Sequence, residues 1–478
     1  MLQILSKKNL FTFLSLAVAL LLPAVALASP DGGAPAINGA ELSGWWAIPF
    51  ACMLLSIALG PILIPGIWHH HFGKIAFGWG LVFLIPYAIF YGVDSAVYET
   101  LHALVLEYEP FIVLLFALFT ISGGIRVTGS LAGTPAVNTC ILLLGTILAS
   151  WMGTTGAAML LIRPLMRANA HRKYKVHTVI FFILLVANIG GSLTPLGDPP
   201  LFLGFLKGVD FFWTLQNVWT ETLFMVAILI PAYFIYDSIM YRREGSPTLE
   251  GEKQKLGLEG KINFLFLAGV VGAVLMSGAW KPGVQFEFYH LHLELQNICR
   301  DLILLTLAGL SWVATKKAVR EANEFNWEPI QEVAKVFLGI FLSMIPAIAI
   351  LRAGENGALR DLVALVSTSS GEPIPAAYFW LTGALSSFLD NAPTYLVFFN
   401  TAGGDPAYLM NEVTTLAAIS IGAVFMGANT YIGNAPNFMV RSIAQSMGTK
   451  MPSFFTYFAI AMLVLGPLYL LITWLFLL

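Results

Sequence analysis

Two carboxylates lie inside apolar stretches of this sequence and are surrounded by hydroxyl and amide residues. Asp198 occurs in "NIGGSLTPLGDPPLFLGF", and Asp390 occurs in "SSFLDNAPTY". Carboxylate, hydroxyl and amide oxygens form the ligand set that a hard cation such as Na⁺ prefers. Burial also favours the protonated form of a carboxyl group. A proton and a metal cation could therefore compete for one side chain.

Ten neutral polar residues near the two acids complete the predicted binding site. They are Asn188, Ser192, Thr194, Thr154, Thr155, Ser387, Asn391, Asn429, Thr430 and Asn434. The alternative for each is that it satisfies backbone groups that are freed where a helix is broken. The alternative for each acid is a helix cap, and Asp198 stands before Pro199 in a favourable N-cap arrangement.

The composition is typical of a membrane protein with many spans. The 478 residues are 58% hydrophobic and only 11% charged, with a mean hydropathy of +0.78. Apolar runs near the ~20 residues that cross a bilayer recur along the whole length. The net charge of −2 gives no basic excess that would indicate nucleic acid binding. Cys52, Cys140 and Cys299 show no metal-ligand spacing and are interpreted as small apolar side chains.

The positions of Lys and Arg predict the topology, because basic loops stay on the cytoplasmic side. The run 135–165 has basic residues at both flanks, so it is predicted to enter the membrane and return as a hairpin with its tip at 150–158. The run 376–401 is predicted to form a second hairpin. An acidic stretch before Pro110 is expected outside, with the third span beginning at that proline. The sequence thus predicts an all-α polytopic membrane protein with about ten spans and two hairpins.

The two halves of the chain match locally. "TPLGDPP" aligns with "TYIGNAPN", which places Asp198 on Asn434, and the hairpin tips "SWMGTTG" and "SFLDNAP" place Thr154 on Asn391. Each motif would break a membrane helix, and freed backbone groups at that depth are costly unless they line a site. Paired broken helices in inverted repeats are a recurrent transporter architecture, with the ion or substrate site at the breaks.

These features predict four segments. Residues 1–28 form a signal peptide or first membrane helix, since Lys7 and Lys8 precede an apolar run and a small-x-small cleavage site. Residues 29–240 form the first transmembrane repeat, 241–261 a charged cytoplasmic linker, and 262–478 the second, inverted repeat.

The whole chain resembles the ion transporter superfamily, which includes NhaD-type Na⁺/H⁺ antiporters, arsenite permeases and citrate or dicarboxylate transporters. The resemblance rests on "FALFTISGGIRVTG", "NIGGSLTPLGDPPLFLGFLKG" and "GANTYIGNAPNFMVRSIA". Within the superfamily the chain is most similar to a bacterial group labelled citrate transporter or sodium:proton antiporter. The resemblance implies a scaffold, a mobile transport domain with two re-entrant hairpins, an elevator-like motion, a homodimer and a place in the bacterial inner membrane. The Ser-Asn-Thr hairpin signature of the carboxylate carriers is absent, since the tips read "MGTTG" and "LDNAPT".

The leading hypothesis is secondary active transport, specifically Na⁺/H⁺ antiport with Asp198 and Asp390 at its centre. Na⁺ and H⁺ would be transported or coupling ions, and no other cofactor is expected. The nearest alternative is a cation- or proton-coupled citrate or dicarboxylate transporter, followed by an arsenite permease or an ion channel. An enzyme is disfavoured, because the sequence has no nucleotide-binding loop, nucleophile–base set or zinc spacing. Arg163 is expected to reach the cytoplasmic interface rather than the site.

Overall fold

The structure is a computed structural model that describes residues 35–246, 255–368 and 370–478. The predicted signal peptide or first helix at 1–28 and residues 247–254 of the predicted linker lie outside these residues. The described chain is almost entirely helical, with two short two-stranded sheets.

The described residues of the first half form ten α-helices and one strand. They are α1 (Ile48–Leu63), α2 (Pro65–Tyr91), α3 (Val93–Leu101), α4 (Glu109–Ser122), β1 (Arg126–Thr128), α5 (Pro135–Met152), α6 (Thr154–Ala168), α7 (Val176–Leu185), α8 (Pro199–Leu206), α9 (Trp213–Asn217) and α10 (Trp219–Arg243).

Residues 255–368 and 370–478 form three strands and eleven α-helices. They are β2 (Gly257–Glu259), α11 (Ile262–Ala279), β3 (Gln285–Phe288), β4 (Leu291–Glu294), α12 (Leu295–Ala314), α13 (Lys317–Ala322), α14 (Glu328–Arg352), α15 (Arg360–Ala364), α16 (Pro375–Phe388), α17 (Asn391–Thr401), α18 (Pro406–Asn411), α19 (Val413–Met426), α20 (Ala435–Ser446) and α21 (Phe454–Ile472). Strand β1 pairs antiparallel with β2, and β3 with β4.

Nine helices in the described ranges are long and apolar enough to cross a membrane. They are Gly44–Pro61, His70–Tyr91, Val93–Ser122, Pro135–Met152, Trp219–Arg243, Ile262–Ala279, Leu295–Ala314, Glu328–Arg352 and Phe454–Leu477. The prediction of an all-α polytopic membrane protein is therefore confirmed. The inverted orientation of the two halves stays a prediction.

The third span differs from the sequence prediction. It begins at Val93 rather than Pro110, because α3 continues through a π-helical segment, His102–Tyr108, directly into α4. One acid of this stretch, Glu107, has a cationic partner. The carboxylate of Glu107 accepts a hydrogen bond from Lys207 Nζ at 2.5 Å.

The helices pack as two groups. The first group comprises α1 to α4, α11, α12 and α14, with α14 lying along α2 and α4 packed on both α11 and α12. The second group comprises the two helical hairpins α5–α6 and α16–α17 together with α7, α8, α10 and α19 to α21. The groups meet where α14 contacts α17 and where α4 contacts α6 and α8.

The "SGGIR" motif ends helix α4, and side chains from other elements satisfy its last carbonyl groups. Asn323 Nδ2 donates to the carbonyl groups of Gly123 at 3.0 Å and Ile125 at 2.7 Å, and Asn263 Nδ2 donates to that of Gly124 at 3.0 Å. A Cβ atom on Gly124 would lie 2.6 Å from Asn263 Nδ2. The motif thus closes a helix end, which otherwise leaves carbonyl groups unpaired.

Candidate functional site

Two helical hairpins place their turns at the predicted tips. Helix α5 ends at Met152 and α6 begins at Thr154, with Gly153 between them at a φ of 81° that favours glycine. Helix α16 ends at Phe388 and α17 begins at Asn391. Each second arm therefore starts with a polar residue at the turn.

Two further helices are broken where the sequence predicts it. The chain leaves α7, makes a 3₁₀ turn at Ile189–Gly191 and resumes as α8 at Pro199. It likewise leaves α19, makes a 3₁₀ turn at Gly427–Asn429 and resumes as α20 at Ala435.

Glycine allows each broken segment to fold back on itself. A Cβ atom on Gly197 would lie 2.2 Å from the carbonyl oxygen of Gly191. A Cβ atom on Gly433 would lie 2.5 Å from that of Gly427. Since Cβ atoms cannot approach a backbone oxygen so closely, both turns need glycine at these positions.

The carboxylate of Asp198 is the point where both hairpins and the second break meet. Asp198 is only 2% exposed. Its Oδ1 accepts hydrogen bonds from Thr154 Oγ1 at 2.8 Å and from Asn434 Nδ2 at 2.9 Å. Its Oδ2 accepts a hydrogen bond from Asn391 Nδ2. All three donors are neutral, and each comes from a different segment.

Asn391 brings an additional oxygen to this site. Its side chain is fully buried, and its Oδ1 has no hydrogen-bond partner among the described residues. Leaving a buried amide oxygen without a donor costs about 1–3 kcal/mol. A cation beside Asp198 would relieve that cost, because carboxylate and amide oxygens are both ligands for hard cations.

The two acids have different local roles. Asp390 is half-buried, and its Oδ1 accepts a hydrogen bond from the backbone N–H of Ala392 at 3.1 Å, which caps α17. Asp198 stands at the N-cap position of α8 but makes no side-chain capping bond. The capping arrangement inferred from the Asp-Pro sequence is therefore wrong for Asp198, because donors from other segments take its carboxylate oxygens.

A web of amide side chains joins the two breaks. Asn188 Nδ2 donates to Asn437 Oδ1 at 2.7 Å, and Asn434 Nδ2 donates to the carbonyl oxygen of Ala187 at 3.1 Å. Asn437 in turn donates to the carbonyl oxygens of Gly427 at 2.9 Å and of Thr430 at 2.8 Å. The sequence reasoning missed Asn437, although "NAPN" places it three residues after Asn434.

The predicted hydroxyl residues mostly hold the broken backbone. Thr194 Oγ1 donates to the carbonyl oxygen of Ser150, and Thr430 Oγ1 donates to that of Ser387 at 2.5 Å, so the two breaks make the same contact with their hairpins. Ser192 Oγ donates to the carbonyl oxygen of Ile189 at 2.8 Å.

Three more predicted residues lie away from the Asp198 carboxylate. Ser387 Oγ donates to the carbonyl oxygen of Met426 at 3.1 Å and accepts from Asn429 Nδ2 at 2.9 Å. Thr155 is half-buried and takes no part in these contacts.

The described hydrogen-bond partners of Asp198 include no cationic side chain. Buried Arg172 donates to Asp237 Oδ1 at 2.8 Å, and Arg163 lies 3.0 Å from Glu324. Across residues 35–246, 255–368 and 370–478, no group of three or more His, Cys, Asp or Glu residues could hold a metal ion. The Asp198 site is thus one carboxylate among neutral amides and hydroxyls.

Comparison with known proteins places this chain among transporters. Residues 39–477 match a family model described as "Putative citrate transport". An uncharacterized transporter from Mycobacterium bovis is 26% identical over 365 residues, which cover 70% of this chain and 78% of that protein. An uncharacterized transporter from Mycobacterium tuberculosis matches to the same extent. The chain belongs to this citrate-transport family and is a multi-pass membrane transporter rather than an enzyme.

Proposed function

We propose that this protein is a secondary active transporter that exchanges Na⁺ for H⁺ at Asp198, with Asp390 as a second carboxylate beside it. The observation that carries the proposal is the set of partners around Asp198. Three neutral donors from three segments hold this buried carboxylate, and no cationic side chain in the described residues bonds to it.

Such a carboxylate needs a positive partner. A charged side chain within a membrane costs about 3 kcal/mol even on the most lenient scales. A proton or Na⁺ removes that cost, and both use the same oxygens, so each displaces the other. The amide oxygen of Asn391 adds a ligand that Na⁺ can use and that a proton does not need.

Helix ends support the same site. Helix α8 begins at Pro199, directly after Asp198, and α17 begins at Asn391. The N-terminus of a helix carries a partial positive charge that stabilises a nearby carboxylate. This partial charge would keep the ionised form accessible between the loaded states, as exchange requires.

The packing suggests how exchange is coupled. The second helix group carries both hairpins and both breaks, and we propose that it moves as an elevator-like transport domain against the first group, which serves as the scaffold. Movement would be favoured when Asp198 is neutralised, because the bare charge resists crossing the apolar interior. We further propose a homodimer in the bacterial inner membrane, with residues 29–240 and 262–478 as inverted repeats.

A second candidate is a citrate or dicarboxylate carrier that uses the Asp198 site for a coupling cation. The description of the matching family favours it. The partners of Asp198 count against carboxylate binding at this site, because none of the described residues bonded to it is cationic.

The decisive experiment uses purified protein in proteoliposomes with an internal pH dye, challenged in turn with Na⁺, Li⁺, K⁺ and citrate. Proton movement driven by Na⁺ alone, and absent in Asp198→Asn, supports antiport. No response to Na⁺ alone, together with labelled citrate uptake under an ion gradient, would replace antiport with the carboxylate carrier.

A further inference from the structure

A cavity of about 470 Å³ lies where the two helix groups meet, and its lining includes neither Asp198 nor the residues that donate hydrogen bonds to it. The first helix group contributes the start of α4, the end of α11 and the start of α12. The chain segment after α8 and helix α18 form the opposite wall. The volume is that of a small organic ligand site.

Two residues that line this cavity each have a buried side-chain oxygen without a donor among the described residues. Glu109 is 8% exposed and Gln296 is 4% exposed. The Oε1 atom of each is buried without a hydrogen-bond partner among the described residues. Because unsatisfied buried acceptors are costly, the cavity is suited to a ligand that carries N–H donors.

The guanidinium group in the cavity already has its partners. Arg300 Nε donates to Asp301 Oδ1 at 2.8 Å, and its Nη2 donates to Asp301 Oδ2 at 2.9 Å. Its Nη1 donates to Asn297 Oδ1 at 3.1 Å. Such a bidentate pair leaves little of this charge for an anionic ligand.

The remaining charges favour a cation. The acids that line the cavity are Glu109, Asp210, Glu294 and Asp301, whereas its cationic residues are Lys281 and Arg300. Lys281 and Asp210 are both exposed, so solvent screens their charges, and Asp301 is paired with Arg300. The acids that remain are Glu109 and Glu294.

The shape and the apolar lining distinguish an organic cation from a metal ion. Phe205, Phe211, Leu275 and Met410 form part of the wall. In the described part of the chain, no cluster of acids, histidines and cysteines could hold a metal. An apolar body would therefore occupy most of the space, and a charged head would face the two acceptor oxygens.

We propose that this cavity binds an organic cation with an N–H-bearing head of the ammonium, amidinium or guanidinium type and an apolar body. The head donates to Glu109 and Gln296, and the body packs on Phe205 and Phe211. The site is distinct from the Asp198 site, and its existence does not depend on the transported ion.

Binding of the organic cation in this cavity should affect transport, an expectation that rests on the proposed function. Both helix groups contribute walls, so a bound ligand would hold them together. The ion pair between Lys207 and Glu107, at 2.5 Å, also joins the segment after α8 to the first helix group. If transport requires the groups to move relative to one another, the organic cation inhibits it.

The test is isothermal titration of the full chain in detergent with benzamidinium, the neutral isostere benzamide, and benzoate. We expect saturable binding of one benzamidinium per chain, with benzamide and benzoate at least about tenfold weaker. Glu109→Gln and Gln296→Met, which keep the size of each side chain, should each weaken benzamidinium binding about tenfold.

Matched controls separate this site from others. Glu221→Gln alters another buried glutamate, which is 6% exposed and lies outside the cavity lining, and should leave benzamidinium binding unchanged. Asp198→Asn should also leave it unchanged. Only variants that elute like the wild type in size-exclusion chromatography are compared. The titrations of the wild type with the three ligands test the proposal without any variant.

The proposal is overturned if wild-type protein shows no saturable benzamidinium binding, or if benzoate binds as tightly. It is equally overturned if Glu109→Gln and Gln296→Met both bind like wild type, or if Asp198→Asn abolishes binding. The titration uses no ion gradient. Benzamidinium binding in a protein that shows no Na⁺-driven proton movement would therefore support this site and contradict only the proposed antiport.

Discussion

The two helix breaks share a backbone arrangement and differ in charge. Each begins with a 3₁₀ turn, folds back where glycine permits close approach, and donates a threonine hydroxyl to a hairpin carbonyl group. At the matching position, the first break carries Asp198 and the second carries Asn434, which donates to the Asp198 carboxylate at 2.9 Å. We call these two broken segments, residues 186–198 and 427–434, the backbone frames. The frames are similar, but only the first carries a carboxylate at the matching position.

The hairpin tips show the same division. Thr154 and Asn391 occupy aligned positions, and both donate to Asp198. Only Asn391 has a side-chain oxygen that is separate from its donor atom and has no partner among the described residues. The comparison shows that the backbone of each segment positions its polar side chains. Single side-chain differences between the segments then determine the charge and the number of oxygen ligands at the site.

The most stringent test of this comparison is to move the carboxylate from the first break to the second. Asp198→Asn should reduce Na⁺-driven proton movement in proteoliposomes by more than about 100-fold, because the group that binds either ion is lost. The exchanged double variant Asp198→Asn/Asn434→Asp should recover part of the activity if the two frames are equivalent. A double variant as inactive as the single one would show that the frames are not interchangeable.

The charge of Asp390 and its role as a helix cap can be tested separately. Asn caps helices about as well as Asp, so Asp390→Asn should keep α17 intact while removing the charge, whereas Asp390→Ala removes both. We expect Asp390→Asn to lower the Na⁺-driven rate about tenfold or more if its charge contributes to the ion site. Wild-type rates in Asp390→Asn, with loss only in Asp390→Ala, would assign this residue to capping alone.

The two hairpin tips should differ in their effect on ion affinity. Asn391→Ala removes a donor and an oxygen ligand, and it should weaken apparent Na⁺ affinity about tenfold. Thr154→Ala removes one donor and should weaken it about threefold. The Na⁺ concentration that gives half-maximal proton movement measures both, and the reverse order would contradict the role of the Asn391 oxygen.

The smallest expected effects test the equivalence of the frames. Thr194→Ala and Thr430→Ala each remove a hydroxyl that bonds to a hairpin carbonyl group, which should cost about 1 kcal/mol of stability. The two variants should lower the thermal midpoint in detergent by similar amounts and weaken apparent Na⁺ affinity similarly. A large change in one and none in the other would argue against matching frames.

Local features of this molecule could be predicted from the sequence. The hairpin turns and the breaks follow from glycine, proline and polar residues within a few positions of one another. The match between the two halves also predicted that Asn391 and Asn434 share a site with Asp198, but other long-range contacts could not be predicted. Glu107 in the third span has a partner that lies 100 residues away, and the role of Asn437 depends on Asn188, 249 residues away.

The same chain separation explains the error about capping. Asp198 before Pro199 carries a strong local signal for an N-cap. Two of the residues that donate to its carboxylate instead are Asn391 and Asn434, which are 193 and 236 residues further along. The local pattern around Asp198 does not report these donors, whereas the match between the two halves of the chain placed both in the predicted site.

This separation also has a consequence for biosynthesis. Of the three donors to Asp198, only Thr154 precedes it in the chain, so the carboxylate is synthesised long before Asn391 and Asn434 exist. A nascent chain that stops after its first half would carry a membrane-embedded acid without two of its three donors, a costly state in hydrocarbon. Completion of the site thus requires residues from both halves of the chain.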